Sequence, residues 1–202
     1  MNQEKKYDKT WVTWSLGTTN MLLDTPICDF GWKAPEFILQ DAHGKSFTMS
    51  EHLGEKGLLI MFICNHCPYV IRIAERLAED TQLLMDEGIN VLAVMSNDYK
   101  SYESDSPENM IKFAKENNLA FPYLVDEDQA VGKTYGAVCT PDFFGFNAKG
   151  ELQYRGRLDD ARMEDTSNRI LELVNAMREI AVTGQGPKEQ TPSMGCSIKW
   201  RD

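Results

Sequence analysis

The run "GLLIMFICNHCPYV", from Gly57 to Val70, constrains this 202-residue chain more than any other stretch. Its first seven residues are an unbroken apolar series, the pattern of a strand buried on both faces. The turn that follows holds Cys64 and Cys67, with Asn65 and His66 between them and Pro68 directly after. From Pro68 onward the period changes to that of a helix. Val70, Ile73, Leu77 and Leu84 share one side, while Arg72, Glu75, Arg76, Glu79 and Asp80 fall elsewhere, and Gly88 marks the stop. A buried strand therefore runs straight into an amphipathic helix, and two thiols sit at the junction.

That placement carries chemistry. A helix N-terminus bears partial positive charge and free amides, both of which stabilise a thiolate. A lowered thiol pKa is what disulfide exchange near neutral pH requires. With only two residues between them the sulfurs can close a small ring, so one attacks and the other resolves. On this reading Cys64 is the exposed nucleophile, Cys67 resolves, and His66 stabilises the Cys64 thiolate, which favours the reduced pair and makes the disulfide a better oxidant. A peroxidase would reverse the roles, with Cys67 attacking and Cys64 resolving. A metal site is the third chemistry. Closed tetrahedral zinc needs two more ligands, and with three histidines and neither a second CxxC nor an HxxxH, no metal or other cofactor is expected. Copper(I) prefers sulfur and needs fewer ligands, so Cys64, Cys67 and either His66 or Cys139 form an alternative set.

The rest of the chain supplies a frame. "EFILQ" and "KSFTM" flank the turn "DAHG" as a hairpin, and Ser50 in "SEHL" is placed to cap a helical turn. "INVLAVMS" is a second buried strand, "SPENMIKFAKENN" a helix with Pro107 in its first turn, and "FPYLVD" a short strand. "DQAVGKTYG" is a helical turn. "DFFGFN" and "ELQYRGRL" form a hairpin around "AKG". "EDTSNRILELVNAMREIAV" is an amphipathic helix with Ile170, Leu173, Val174, Met177 and Ile180 on one face. Helix-length crossovers between buried strands imply parallel pairing, hence an α/β class. One domain is expected at 33–183, after an extension at 1–32 in which Trp11, Trp14 and "NMLLDTPI" look like packing residues, and before a loop-like tail at 184–202.

Cys139 precedes Thr140 and Pro141, and an X-Pro bond just before a strand is a place for a cis peptide. Cys139 and Cys196 are further candidate thiols, whereas Cys28 reads as structural. The formal net charge of -10 disfavours nucleic acid and anionic membrane as partners. No apolar stretch is long enough to span a bilayer, and the polar N-terminus lacks a leader pattern. An odd number of cysteines fits a reducing compartment, so a cytoplasmic location is expected.

Two stretches, "APEFILQDAHGKSFTMSEHLGEKGLLIMFICNHCPYV" and "CTPDFFGFNAKGELQYRGRLDD", resemble the thioredoxin superfamily. The likeness is strongest to its peroxiredoxin-like branch, the alkyl hydroperoxide reductase/thiol-specific antioxidant group, over roughly residues 33–182. "CNHCPYV" and "GCSIKW" are similar to a bacterial subgroup of thioredoxin-family proteins. The resemblance implies a thioredoxin-like fold, with a central mixed sheet flanked by helices and a cis-proline loop facing the dithiol. It implies that Thr140 and Pro141 occupy that loop, and that Thr140 borders the sulfurs and offers backbone hydrogen bonds to a polypeptide substrate. It also implies thiol–disulfide or antioxidant peroxidase activity, with a protein disulfide, small thiol or peroxide as substrate and a dithiol as reductant. Thioredoxins proper have tryptophan where this chain has Ile63 and a buried acid where it has Leu58. Typical peroxiredoxins have threonine at the position of Cys64 and proline at that of Ile60, which costs a peroxide-activating hydroxyl and ranks dithiol exchange first.

Overall fold

The computed structural model describes residues 21–161, 166 and 168–201. Trp11 and Trp14 lie outside them. The central strand is β4 (Leu58–Phe62), and its ancestry in the sequence is plain: five consecutive apolar residues, all with no exposed surface. Alternation splits them between two cores. Leu59 and Met61 face one and Leu58, Ile60 and Phe62 the other. Burying each such side chain contributes roughly 1.5–3 kcal/mol.

Before β4 come β1 (Leu22–Asp24), β2 (Ile38–Asp41), β3 (Ser46–Thr48) and the short α1 (Met49–His52). After it come α2 (Pro68–Asp86), β5 (Asn90–Met95), α3 (Pro107–Glu116), β6 (Tyr123–Val125) and α4 (Ala130–Tyr135). The chain ends with β7 (Cys139–Thr140), β8 (Asp142–Phe146), β9 (Leu152–Tyr154), α5 (Glu172–Thr183) and β10 (Met194–Ser197). Seven strands make the main sheet in the order β3-β2-β6-β5-β4-β8-β9. β4 pairs in parallel with β5, and β5 with β6; the remaining pairs are antiparallel. The result is a mixed sheet flanked by helices. No helix among the described residues is long and apolar enough to cross a membrane.

Four departures from the sequence reading have physical reasons. The N-cap of the "SEHL" turn falls two residues early, at Thr48 rather than Ser50. The Thr48 side chain makes no capping bond, while the Ser50 amide donates to Glu36 Oε1 at 3.2 Å. The last helix begins only at Glu172, so Ile170 lies outside it and is 56% exposed rather than on its apolar face. Arg76 and Asp80, placed with the solvent-facing residues of α2, are buried. Arg76 pairs with Asp159 at 2.9 Å, and Arg169 grips Asp80 through two bonds at 2.6 and 2.8 Å. Charges in an apolar contact are tolerated when opposite charges meet them, which periodicity alone does not reveal. Finally, the stretch read as a loop-like tail ends in β10, the middle strand of a second sheet ordered β1-β10-β7.

Candidate functional site

Both cysteines of the motif sit where the main sheet meets α2. Cys64 follows β4, and Cys67 is the N-cap of α2, with Pro68 supplying a first-turn residue whose missing N–H costs nothing. The Thr140–Pro141 bond is cis and closes over the pair. Cys64 Sγ lies 3.2 Å from Thr140 Oγ1. With both sulfurs protonated, Cys67 donates to the Thr140 carbonyl at 3.0 Å. Cys64 and Cys67 are themselves hydrogen-bonded, and all five cysteines are free thiols.

The electrostatics of the pair are asymmetric. Cys67 is pulled down to about 5, first because the Cys64 thiol donates to it. The Thr140 hydroxyl and the Cys196 and Val70 amides add to this, against the opposing effect of burial. Cys64 moves well above its usual value, because its proton is held by Cys67 and because burial and the negative charge of Asp105 oppose ionisation. The surrounding donors favour the thiolate on Cys67 over Cys64. The sequence reading places the charge on Cys64, whereas these donors favour Cys67. Nor is Cys64 exposed: it is 1% accessible and Cys67 is wholly buried. The reason is local, since apolar residues of the core, Thr140 and the C-terminal strand close around the junction.

The hydrogen-bond partner of His66 is Asp105 rather than Cys64. Its Nδ1 lies 2.7 Å from Asp105 Oδ2, and its ring stacks on Tyr102 at 5.5 Å. The hydrogen bond to Asp105 raises the His66 pKa, partly offset by burial. Asp105 was invisible to sequence reasoning: it stands 39 residues beyond His66, in a 3₁₀ turn at Glu103–Asp105. Fully buried, it also accepts from the Asn65 amide at 2.8 Å and from Asn97 Nδ2 at 2.8 Å. Tyr123 reinforces the same loop by donating toward Ile63 O and Asn65 Oδ1. The two residues between the cysteines are thus clamped from behind. Among the described residues, Cys64, His66 and Asp105 offer ligand atoms within 4.8 Å of one another. That grouping differs from the Cys64, Cys67 and His66-or-Cys139 set expected for copper, and Asp105 already satisfies three donors.

The additional thiols divide. Cys139 is buried on β7, and burial drives its pKa far upward. Cys196 lies beside Cys67, within hydrogen-bonding reach through both its backbone amide and its thiol. Its partner across the small sheet is Thr140. The backbone edge expected to serve a polypeptide substrate is therefore already taken by the chain's own β10. Nothing in the sequence pairs Cys196 with Thr140, but Gly195 is a signal in hindsight. A Cβ there would sit 2.6 Å from the Thr140 carbonyl carbon, so only glycine lets the strands approach.

The family model described as AhpC/TSA matches residues 30–155. A Geobacillus kaustophilus crystal structure described as an uncharacterized conserved protein is 38% identical. The alignment covers 92% of this chain and 98% of that one, with a TM-score of 0.84. The thiol-disulfide oxidoreductase ResA of Geobacillus thermodenitrificans is 27% identical over 123 residues, 61% of this chain and 66% of that protein, so the chain spans about two thirds of it. A candidate peroxiredoxin of Mycobacterium tuberculosis is 24% identical over 123 residues, 61% of this chain and 73% of its own length. More distant structures share the thioredoxin-like fold alone. With the family model spanning well over half of its length, the chain belongs to the AhpC/TSA family, on the peroxiredoxin-like side of the thioredoxin superfamily.

Proposed function

We propose that this oxidoreductase works by thiol–disulfide exchange through Cys64 and Cys67, with Cys67 attacking first. What supports this is the position of Cys67 at the N-terminus of α2, with the Thr140 hydroxyl and the Cys196 and Val70 amides around its sulfur, a setting that favours the anion there. The Cys67 thiolate attacks one sulfur of a substrate disulfide, forming a mixed disulfide and expelling a substrate thiolate. Cys64 then attacks Cys67 Sγ, closing the Cys64–Cys67 disulfide and releasing the second substrate sulfur. The Cys64 proton goes to a leaving thiolate. Two electrons pass to the substrate, and a dithiol reductant restores the pair. His66 and Asp105 fix the intervening loop, while Thr140 and Pro141 hold the far side. A reducing, cytoplasmic setting belongs to the same proposal, on the odd number of cysteines in the sequence. The test is trapping. With Cys64→Ser and Cys196→Ser combined, a model disulfide should accumulate as a mixed disulfide on Cys67, and Cys67→Ser should abolish turnover. Turnover persisting in Cys67→Ser would remove the assignment.

A second reading, thiol peroxidase, is favoured by the burial of both sulfurs, because a peroxide is small enough to enter where a polypeptide is not. Here Cys67 would be oxidised to the sulfenic acid with release of water, and Cys64 would condense with it. A sulfenic acid captured on Cys67 in Cys64→Ser, with rapid peroxide loss, supports this reading. Reactivity no faster than that of a free thiol excludes it.

A further inference from the structure

The site contains three sulfurs, and two facts show that the third is built in. Cys196 stands opposite Thr140 in the β10–β7 pairing, and Ser197 stands opposite Cys139. On its other side β10 pairs with β1, Leu22 against Cys196. Beyond the strand the chain is pinned again. The Lys199 amide donates to Asn97 Oδ1 at 2.8 Å, the Lys199 carbonyl accepts from Asp98 N and Gln129 Nε2, and Arg201 reaches Asp98. Cys196 is 7% accessible and is paired with Thr140, whose carbonyl lies 3.0 Å from Cys67 Sγ, so it approaches Cys67 from inside the protein rather than across solvent. The absent side chain of Gly195 permits that approach.

We propose that Cys196 is a third redox thiol, which takes over the Cys64–Cys67 disulfide by attacking Cys67 Sγ. The proposal rests on the thiol–disulfide reading above. The Cys67–Cys196 bond forms as the Cys64–Cys67 bond breaks, the bonding pair leaves on Cys64, and the Cys196 proton passes to Cys64. No net oxidation occurs in this step, and the electrons were already given up to the disulfide substrate. Direction follows from the surroundings. In the reduced protein Cys196 is held up to about 12, by burial first and then by the negative charge on Cys67. Oxidation of Cys67 removes that charge while burial remains, so Cys196 ionises more readily once there is a disulfide to attack than in the reduced protein. The exchange returns Cys64 to the thiol form and ties β10 covalently across the site.

The experiment is a time course on the full chain. Reduced protein receives one equivalent of dipyridyl disulfide and is quenched in acid at intervals, after which disulfide-linked peptides are mapped by mass spectrometry. The expected result is a Cys64–Cys67 species that decays as a Cys67–Cys196 species grows, with Cys196→Ser stopping at the first. A wild-type protein that keeps Cys64–Cys67 while Cys196 remains open to alkylation after denaturation would overturn the third-thiol role and leave the dithiol reading standing. Failure to form Cys64–Cys67 at any time would overturn both. The wild-type course decides the matter even if Cys196→Ser folds poorly.

Discussion

Gly195→Ala tests how tightly the C-terminal strand seals the dithiol. An alanine Cβ would stand 2.6 Å from the carbonyl carbon of Thr140 and closer still to its oxygen, whereas ordinary contact begins at 3.4 Å. The obstacle is backbone, held between β10 and the pair it covers, so it cannot rotate away as a side chain could. Because the oxygen is the nearer atom, relief requires β10 and β7 to part by about 1.4 Å at this point, which takes hydrogen bonds of normal length beyond useful geometry. Two or three lost bonds at about 1 kcal/mol each, with the residual strain of overpacking, give about 2–4 kcal/mol. For a chain of this size that corresponds to a melting temperature lower by about 5–15 °C. The strain falls on one small sheet, so local opening should precede global unfolding. Differential alkylation read by mass spectrometry should show Cys67 and Cys196 reacting faster than in wild type, while Cys139, on the far side of β7, changes least. A variant that melts with wild type and alkylates in the same order would refute the claim that this close approach holds the strand.

Three further outcomes follow from the electrostatics. The ultraviolet thiolate absorbance of the reduced protein should titrate with a midpoint of about 5, assigned to Cys67 by its loss in Cys67→Ser; a single transition near 9 would reject the donor set. Because that folded-state value lies below the ordinary thiol value of 9.0, its contribution to stability is present above 9.0 and is lost as pH falls through about 5. Asp105→Asn should lower the His66 pKa, read by NMR of the imidazole; the stability His66 contributes in the native protein is present below 6.5 and lost as pH rises through its raised value. Asp80→Ala should cost about 3–5 kcal/mol in chemical denaturation by leaving the Arg169 guanidinium, only 10% exposed, without its bidentate partner, and a loss under 1 kcal/mol would show that the pair is not important to stability.

What could be read from the sequence was whatever its chemistry expresses within a few residues. β4 announced itself because five apolar residues in a row have no other home. α2 did so because Pro68 and Gly88, the latter at φ 84°, bracket a helical period. Pro107 in the first turn of α3 and the β8–β9 hairpin belong to the same class. The cis Thr140–Pro141 bond was marked by the proline itself. What could not be read was set by long-range pairing. Asp105 reaches His66 across 39 residues, and Arg169 reaches Asp80 across 89. Arg76 and Asp80 broke the rule that charge points outward because their partners arrive from beyond β9, and a periodic reading of α2 cannot see those partners.

The same distinction explains the reversal at the dithiol. The two-residue spacing places the sulfurs together but does not decide which bears the charge. That choice depends on who donates to each, and the donors to Cys67 are first Cys64 itself and then groups from β7, β10 and the first turn of α2. The negative Asp105, recruited by the backbone amide of Asn65, stands on the Cys64 side and pushes ionisation the other way. A carboxylate that rigidifies the loop therefore also sorts the protons between its two thiols. The helix end selects Cys67, the acid disfavours Cys64, and the strand that seals them brings the next thiol into reach of the sulfur so selected.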